Sequence, residues 1–264
     1  MNLLAQALRR CVIWCESIAV LVIFLSVWWM ASHGDWISRV FLPTPEATWA
    51  SLAQGFSAEP GTDSADLGQA SWQTFMRMFL GWGLASLIGV GLGALIGMSK
   101  MARQWIAPTL EFLRPLPASA VLPLAISIFG LSPGMVLFVV SFGAMWPVLL
   151  ATVQGLAQVE PRRREVAAGL QMSRLAFVWK IGLPSTLPDI LAGMRLSMTV
   201  SLIVAVVGEM IASQAGLGQA ILLAARSFRA SELFAGIVLL GALGFVSNAL
   251  LAGLEHRLLR WQRP

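Results

Sequence analysis

Glu209 lies inside an otherwise apolar run, Leu202–Ala212, and Arg77 lies near the start of another. Ionisable side chains within such runs are costly and mark functional sites. Glu209 has three readings: shaping of a gate, a capping or packing role, or direct contact with a solute. It would repel an anion, which favours the gate. Arg77 could lay its stem along apolar surface and reach the outer headgroups, or it could meet an anionic solute. Other chemistry is scarce. The two histidines, His33 and His256, sit at opposite ends of the chain, so no histidine cluster is available for a metal. Cys11 and Cys15, four residues apart at the start of an apolar helix, form neither a disulfide framework nor a metal spacing. There is no G-x-x-x-x-G-K-[ST] loop and no Gly-Lys pair. The glycines between Gly81 and Gly97 fail G-x-G-x-x-G, and neither histidine adjoins a nucleophile motif. No catalytic residue is expected, and no cofactor bound by this chain.

The segment Glu165–Pro188 is the most informative. Glu160-Pro161 reads as a helix start, with proline at the first helical position. Glu165, Val166, Ala167 and Ala168 follow in the next turns. Small residues let a helix sit deep in a partner's groove, and one acidic group gives it an electrostatic register. Pro184 and Pro188 are expected to bend the chain into the next element. Arg162, Arg163 and Arg164 suit either an acidic partner surface or anionic lipid.

These residues must be positioned by helices in a membrane. Of the 264 residues, 57% are hydrophobic and 12% charged, with a mean hydropathy of +0.76. A soluble domain carries about 25% charged residues. The apolar tracts are continuous, unlike the alternating segments of a barrel, so the chain is read as an all-α, polytopic transmembrane helix bundle of about six spans. These are Cys11–Ala31, Trp72–Met98, Leu116–Leu131, Gly134–Gly155, Ile190–Ala212 and Leu233–Leu254. Pro115, Pro117 and Pro123 would break or bend the start of the third. The run from Arg9 and Arg10 to Met30 could imitate a signal peptide, but it is long and no A-x-A site follows, so an uncleaved first span is expected.

Of the 18 Lys and Arg residues, Arg39, Arg226 and Arg229 fall outside and Arg77 within a span, leaving 14 inside. This bias places both termini in the cytoplasm and accounts for the net charge of +5 without nucleic acid. The division expected is an N-terminal span with a periplasmic loop over 1–71, a core over 72–258 containing a cytoplasmic loop at 156–189, and a tail at 259–264. The outer loop, Ser32–Ser71, carries Asp35, Glu46, Glu59, Asp63 and Asp66, read as a solvated face. In the second span Gly81, Ala85, Gly89, Gly93 and Gly97 make a flat stripe for close helix approach, either as ordinary packing or as a sliding surface. Met135, Phe138, Phe142, Met145 and Trp146 form an apolar band read as core, with pore lining as the other use. Asn248 is expected to be a buried amide bonded across helices. Asp189 and Arg195 are a candidate pair, though their spacing is wide for one helix turn. The 11 tryptophans suit interfacial belts.

At Glu165, Val166, Ala167 and then Ile181, Leu183, Pro184, the chain resembles the membrane subunits of bacterial ABC importers of the binding-protein-dependent class, in particular the nitrate/sulfonate/taurine branch. Their cytoplasmic EAA motif reads E-A-A, three residues, G, and further on I-x-L-P. Gln171 stands here at the glycine position. Glu111–Pro117, Leu122–Gly130, and Pro188, Gly193, Arg195, Val207, Glu209, Met210, Gly216, Leu217 and Gly218 resemble the branch's third and fifth spans. The resemblance covers residues 70–255. It implies the type I importer permease fold and an ATPase dock at Glu165, Val166, Ala167, Ala168, Leu170, Gln171, Met172, Ser173 and Pro184. It also implies two such subunits, often identical, around the pore, a periplasmic solute-binding protein, and ATP with Mg on the partner ATPase. Glu209, Met145 and Asn248 are the candidates for gate or path. The branch suggests a small anion such as nitrate, a sulfonate or taurine; a thiamine precursor or another small heterocycle is the alternative. A secondary transporter would show more spans and inverted repeats, and a membrane-embedded enzyme a polar catalytic cluster.

Overall fold

The computed structural model describes residues 2–34, 37–57, 66–98, 100–113 and 115–260. Asp35, Glu59, Asp63, Arg114 and Arg263 lie outside the described residues, as do the side chains of Arg9, Arg10, Cys11, Cys15, Lys100, Arg103 and Glu111. Every regular element among the described residues is helical. In chain order these are α1 (Asn2–His33), α2 (Pro45–Ser57), α3 (Leu67–Met98), α4 (Lys100–Leu113), α5 (Leu122–Phe129), α6 (Pro133–Ala157), α7 (Pro161–Gly169), α8 (Arg174–Phe177), α9 (Leu183–Ala212), α10 (Leu217–Arg226) and α11 (Ala230–Leu258). The chain divides into two compact units, Met1–Leu67 with Ala220–Val238, and Gly68–Gln219 with Leu239–Pro264.

Among the described residues, four stretches are long and apolar enough to cross a bilayer: Leu67–Gly97, Pro133–Ala157, Arg174–Ala212 and Ala230–Leu258. The described part of α1 that is apolar, Ile18–His33, falls in the first expected span, and the short apolar stretch Ala118–Phe129 occupies the place of the third. The third is short for a physical reason. Pro117 starts a 3₁₀ turn at Ala118–Val121, and Gly130, at φ 65°, ends α5. Twelve residues of this kind reach roughly 20 Å, short of the ~30 Å hydrocarbon core.

The fifth span also differs from expectation. Pro184 and Pro188 do not interrupt the helix. Helix continues from Arg174 through a π-helical turn at Val178–Gly182 into α9, so a single 39-residue stretch runs to Ala212. Pro184 directly follows the π-helical turn, the kind of local adjustment that lets a membrane helix continue through proline, and Pro188 lies inside α9.

In the larger unit α6 and α9 pack along their length. A Cβ on Gly193 would stand 2.8 Å from the Pro147 carbonyl oxygen. Apolar burial gains little inside lipid, so close contact and interhelical hydrogen bonds must hold such helices. Ser197 Oγ donates to the Ala144 carbonyl at 2.6 Å, and Trp82 Nε1 to the Met194 carbonyl at 2.9 Å. The small-residue stripe of α3 faces α6: a Cβ on Gly89 would meet Val148 at 2.9 Å, and one on Gly93 would meet Thr152 at 2.6 Å. The stripe is therefore an ordinary packing surface in this state. Met78, Leu122, Ala125, Met135, Val136, Val139, Val140, Ala205 and Ala212 form the core between these helices.

In the smaller unit Trp28 Nε1 donates to the Pro43 carbonyl at 3.0 Å, and its ring lies 5.7 Å from that of Phe234. Trp29 Nε1 donates to Glu46 at 3.1 Å. Glu46 sits in the first turn of α2, where the free N–H of its own backbone holds its carboxyl below the usual range.

Candidate functional site

The inner loop folds as two short helices on a rigid base. Arg164 Nη2 donates to the carbonyls of Leu156 and Ala157, at 2.8 and 3.1 Å, and so caps the end of α6. Arg163 donates to Ser185 Oγ at 2.6 Å and lies 3.6 Å from Glu160. Two of the three consecutive arginines thus fix α7 to its own chain, and exposed Arg162 is left facing outward.

The turn after α7 explains position 171. The Gln171 N–H donates to the Ala168 carbonyl and the Met172 N–H to the Ala167 carbonyl, each at 3.0 Å. This pairing is the Schellman closure of a helix, which places a left-handed residue at the position after the cap. Gln171 holds that place at φ 50°. The glycine that the related motif carries here would take the same conformation without strain. Ser173 then caps α8 by accepting from the Ala176 N–H at 3.2 Å.

The loop residues do not all face outward. Ala167 is buried, and half-buried Met172 lines a hollow of about 290 Å³ with Gly97, Leu156 and Phe177. Glu165, Val166, Ala168, Leu170, Gln171, Ser173 and Pro184 are exposed. Val166 and Leu170, one helical turn apart, are 55% and 69% exposed, and Leu175 and Trp179 repeat that spacing on the next helical segment.

At the other end of α9 the structure joins residues that the sequence left separate. Glu209 is 0% exposed. The Thr74 hydroxyl lies 2.9 and 3.0 Å from its two carboxylate oxygens, Arg77 Nη1 donates to Oε1 at 2.7 Å, and the Gly218 N–H donates to Oε2 at 3.0 Å. The Leu217 N–H donates to Thr74 Oγ1 at 2.8 Å, and Arg77 Nη1 also reaches the Ala215 carbonyl at 2.5 Å. The carboxylate therefore sits at the N-terminus of α10, where free N–H groups favour negative charge. Close packing fixes the glycines: a Cβ on Gly216 would lie 2.3 Å from Glu209 Cδ, and one on Gly218 2.4 Å from the Val206 carbonyl oxygen. Thr74, Gly216 and Gly218 were not among the expected gate residues. The available signal was an arginine and a glutamate, each near the outer end of its apolar run.

The other path candidates fall elsewhere. Met145 is half-buried, while the groove of about 480 Å³ on the α6–α9 face is lined by its neighbours Gly143, Trp146, Pro147 and Leu150. Asn248 is exposed, contrary to expectation, and Ser247 beside it is the buried residue. A helix turns about 100° per residue, so the adjacent position faces inward in its place. Arg195 pairs with Glu255 of α11, not with Asp189. Six residues apart on one helix, Asp189 and Arg195 are separated by about 9 Å along the axis.

Residues 85–260 match the family described as "Binding-protein-dependent transport system inner membrane component". The chain belongs to this family. It is 30% identical over 245 residues to the taurine transport system permease protein TauC of Escherichia coli, covering 93% of this chain and 89% of that one. It is 28% identical to the putative aliphatic sulfonates transport permease protein SsuC of Bacillus subtilis, covering 94% and 88%. It is 30% identical to the nitrate import permease protein NrtB of Synechocystis, covering 89% and 86%. In fold it resembles the inward-facing MetNI methionine ABC transporter, with a TM-score of 0.67, 18% identity, and coverage of 74% of this chain and 96% of that one. This family member is thus the inner-membrane permease subunit of an ABC importer, and binding-protein and ATPase partners are general to such systems.

Proposed function

We propose that two copies of this chain enclose a pore for a small oxyanion, driven by a separate ATPase that receives the exposed face of α7. The observation that carries this reading is the unbroken helix from Arg174 to Ala212. Its inner end follows the Schellman turn directly, and its outer end carries Glu209. Closure of an ATPase pair on Val166 and Leu170 would move one rod, and the rod would carry the displacement to the outer clamp. Glu165, beside the apolar pair, supplies the charge that orients docking. This chain binds no nucleotide; ATP and Mg belong to the partner.

The second copy is supported by the exposure of α11, where only 11% of the most apolar window is buried. Asn248 is exposed there among Phe245, Val246 and Leu250, and an amide in lipid without a partner is unfavourable. A periplasmic binding protein supplies the solute, for which the named relatives suggest taurine, an aliphatic sulfonate or nitrate.

The test is purification of the tagged chain with its ATPase and binding protein, followed by uptake in proteoliposomes. Co-purification of the ATPase, lost on Glu165→Arg, together with ATP-dependent uptake is the expected result. Retained uptake in Glu165→Arg, or no ATPase bound to the unmodified chain, would overturn the reading.

A further inference from the structure

A groove of about 580 Å³ lies between the inner end of α3 and the start of the long α8–α9 helix. Ile88, Leu92 and Leu95 line it from α3, and Leu175, Trp179 and Leu183 from the other side. Gly91 lies between them, and a Cβ there would meet nothing within 4 Å. Trp179 is the one lining side chain with a hydrogen-bond donor. Both sides belong to stretches long and apolar enough to cross a bilayer, Leu67–Gly97 and Arg174–Ala212. Ile88, Leu95, Leu175 and Trp179 are exposed, so the groove opens outward from the chain.

The hollow of about 290 Å³ beneath α7 adjoins this groove on its cytoplasmic side. Val178 lines both, and Gly97, further along α3, lines only the hollow. Two arginines, Arg164 and Arg174, line the hollow, and no acidic side chain does. Arg164 is committed to the end of α6. Arg174 is exposed, and none of the ion pairs among the described residues includes it. It precedes Val178 by about one helical turn, roughly 6 Å, so its guanidinium sits where tails give way to head groups.

Apolar contact alone selects no lipid, because the surrounding tails offer the same contact. Charge does select: basic pockets between helices on the cytoplasmic side hold acidic head groups. An exposed tryptophan suits the same interface. We infer that the groove and hollow together bind one anionic phospholipid of the inner leaflet, with an acyl chain along Leu92, Leu95 and Leu183 and its phosphate at Arg174. A soluble partner would have to bring its own apolar surface to the depth of the tails, which favours lipid as the occupant. The site does not depend on which solute crosses.

The test uses the full complex with its ATPase, purified in detergent, stripped of lipid and returned to phosphatidylglycerol, phosphatidylcholine or glycerol 3-phosphate. Native mass spectrometry then reads what each copy keeps. Phosphatidylglycerol is expected to be retained about fivefold better than phosphatidylcholine, the worth of one arginine near an anionic head group, and glycerol 3-phosphate not at all. Arg174→Gln should remove the preference between the two lipids. Gly91→Phe, which places a ring in the open groove, should lose the retained lipid of either kind, whereas Gly91→Ala should keep it. All three variants are expected to hold the thermal midpoint and ATPase capture of the unmodified chain. Equal retention of both lipids by the unmodified complex, an undiminished preference in Arg174→Gln, or undiminished retention in Gly91→Phe would overturn the site. Retention of glycerol 3-phosphate would make Arg174 a site for soluble phosphate, and loss of ATPase capture in Arg174→Gln would make it part of the ATPase interface; either result overturns the lipid assignment.

Discussion

Arg77 and Glu209, 132 residues apart in sequence, meet at 2.7 Å with Glu209 fully enclosed. Arg77 keeps 16% of its side chain exposed, so the pair is buried at the acid and open at the base. Removing one partner leaves an uncompensated charge, which costs about 3–5 kcal/mol at a buried pair. Arg77→Met and Glu209→Leu are therefore each expected to lower the thermal midpoint of the purified chain sharply. The double variant should recover most of that loss, because replacing both charges with apolar groups is often neutral. A double variant no more stable than either single one would mean that the Thr74 and Gly218 bonds hold the clamp, not the ion pair.

The glycines of the clamp give an independent measure of its tightness. Gly216→Ala would place a methyl group 2.3 Å from the Glu209 carboxyl carbon. Overpacking of this kind costs about 1–3 kcal/mol. Gly241→Ala, where a Cβ has open space, is the control and is expected to be neutral or slightly stabilising, since alanine favours helix. Equal effects at the two positions in thermal unfolding would show that the clamp has more room than its geometry implies.

Much of this was legible in the sequence, because a bilayer leaves few choices. Continuous apolar tracts demanded helices, and the inner bias of Lys and Arg oriented them. What escaped was pairing at long range. Glu209 stood out as an ionisable group in an apolar run, and so did Arg77, but nothing local to either names the other. The same limit applies to Asn248. Its polarity in an apolar helix called for a partner, yet no local pattern says whether that partner lies within the chain, and Ser247 took the inward position instead. Pro184 and Pro188 misled for a different reason: a membrane helix can continue through proline where local turns adjust, and here a π-helical turn directly precedes Pro184 while Pro188 lies inside α9.

Gln171 takes a left-handed backbone, at φ 50°, that favours glycine. A non-glycine residue in the left-handed region loses roughly 1 kcal/mol or more relative to glycine. Gln171→Gly is expected to stabilise the chain by about 1 kcal/mol, less the entropy that glycine gains in the unfolded state. Gln171→Val, β-branched at positive φ, should destabilise it. Thermal unfolding of the three proteins orders them Gly, Gln, Val. An order in which Gln exceeds Gly would show that the Gln171 side chain makes a stabilising interaction that outweighs its backbone strain.

The docking face offers a prediction in which fold and function separate. Val166 and Leu170 are exposed and make no core contact, so Val166→Asp and Leu170→Asp should leave the thermal midpoint nearly unchanged. If they form the centre of the ATPase interface, each carboxylate must be desolvated on docking without a partner, and binding should weaken by 2 kcal/mol or more, roughly thirtyfold. Arg164→Ala is the opposite case. It uncaps α6 by removing the bonds to the Leu156 and Ala157 carbonyls, and should lower stability by about 1 kcal/mol with docking lost only as far as the loop unfolds. Parallel measurement of unfolding and ATPase capture distinguishes the two classes. Normal capture by both aspartate variants would move the interface off this face.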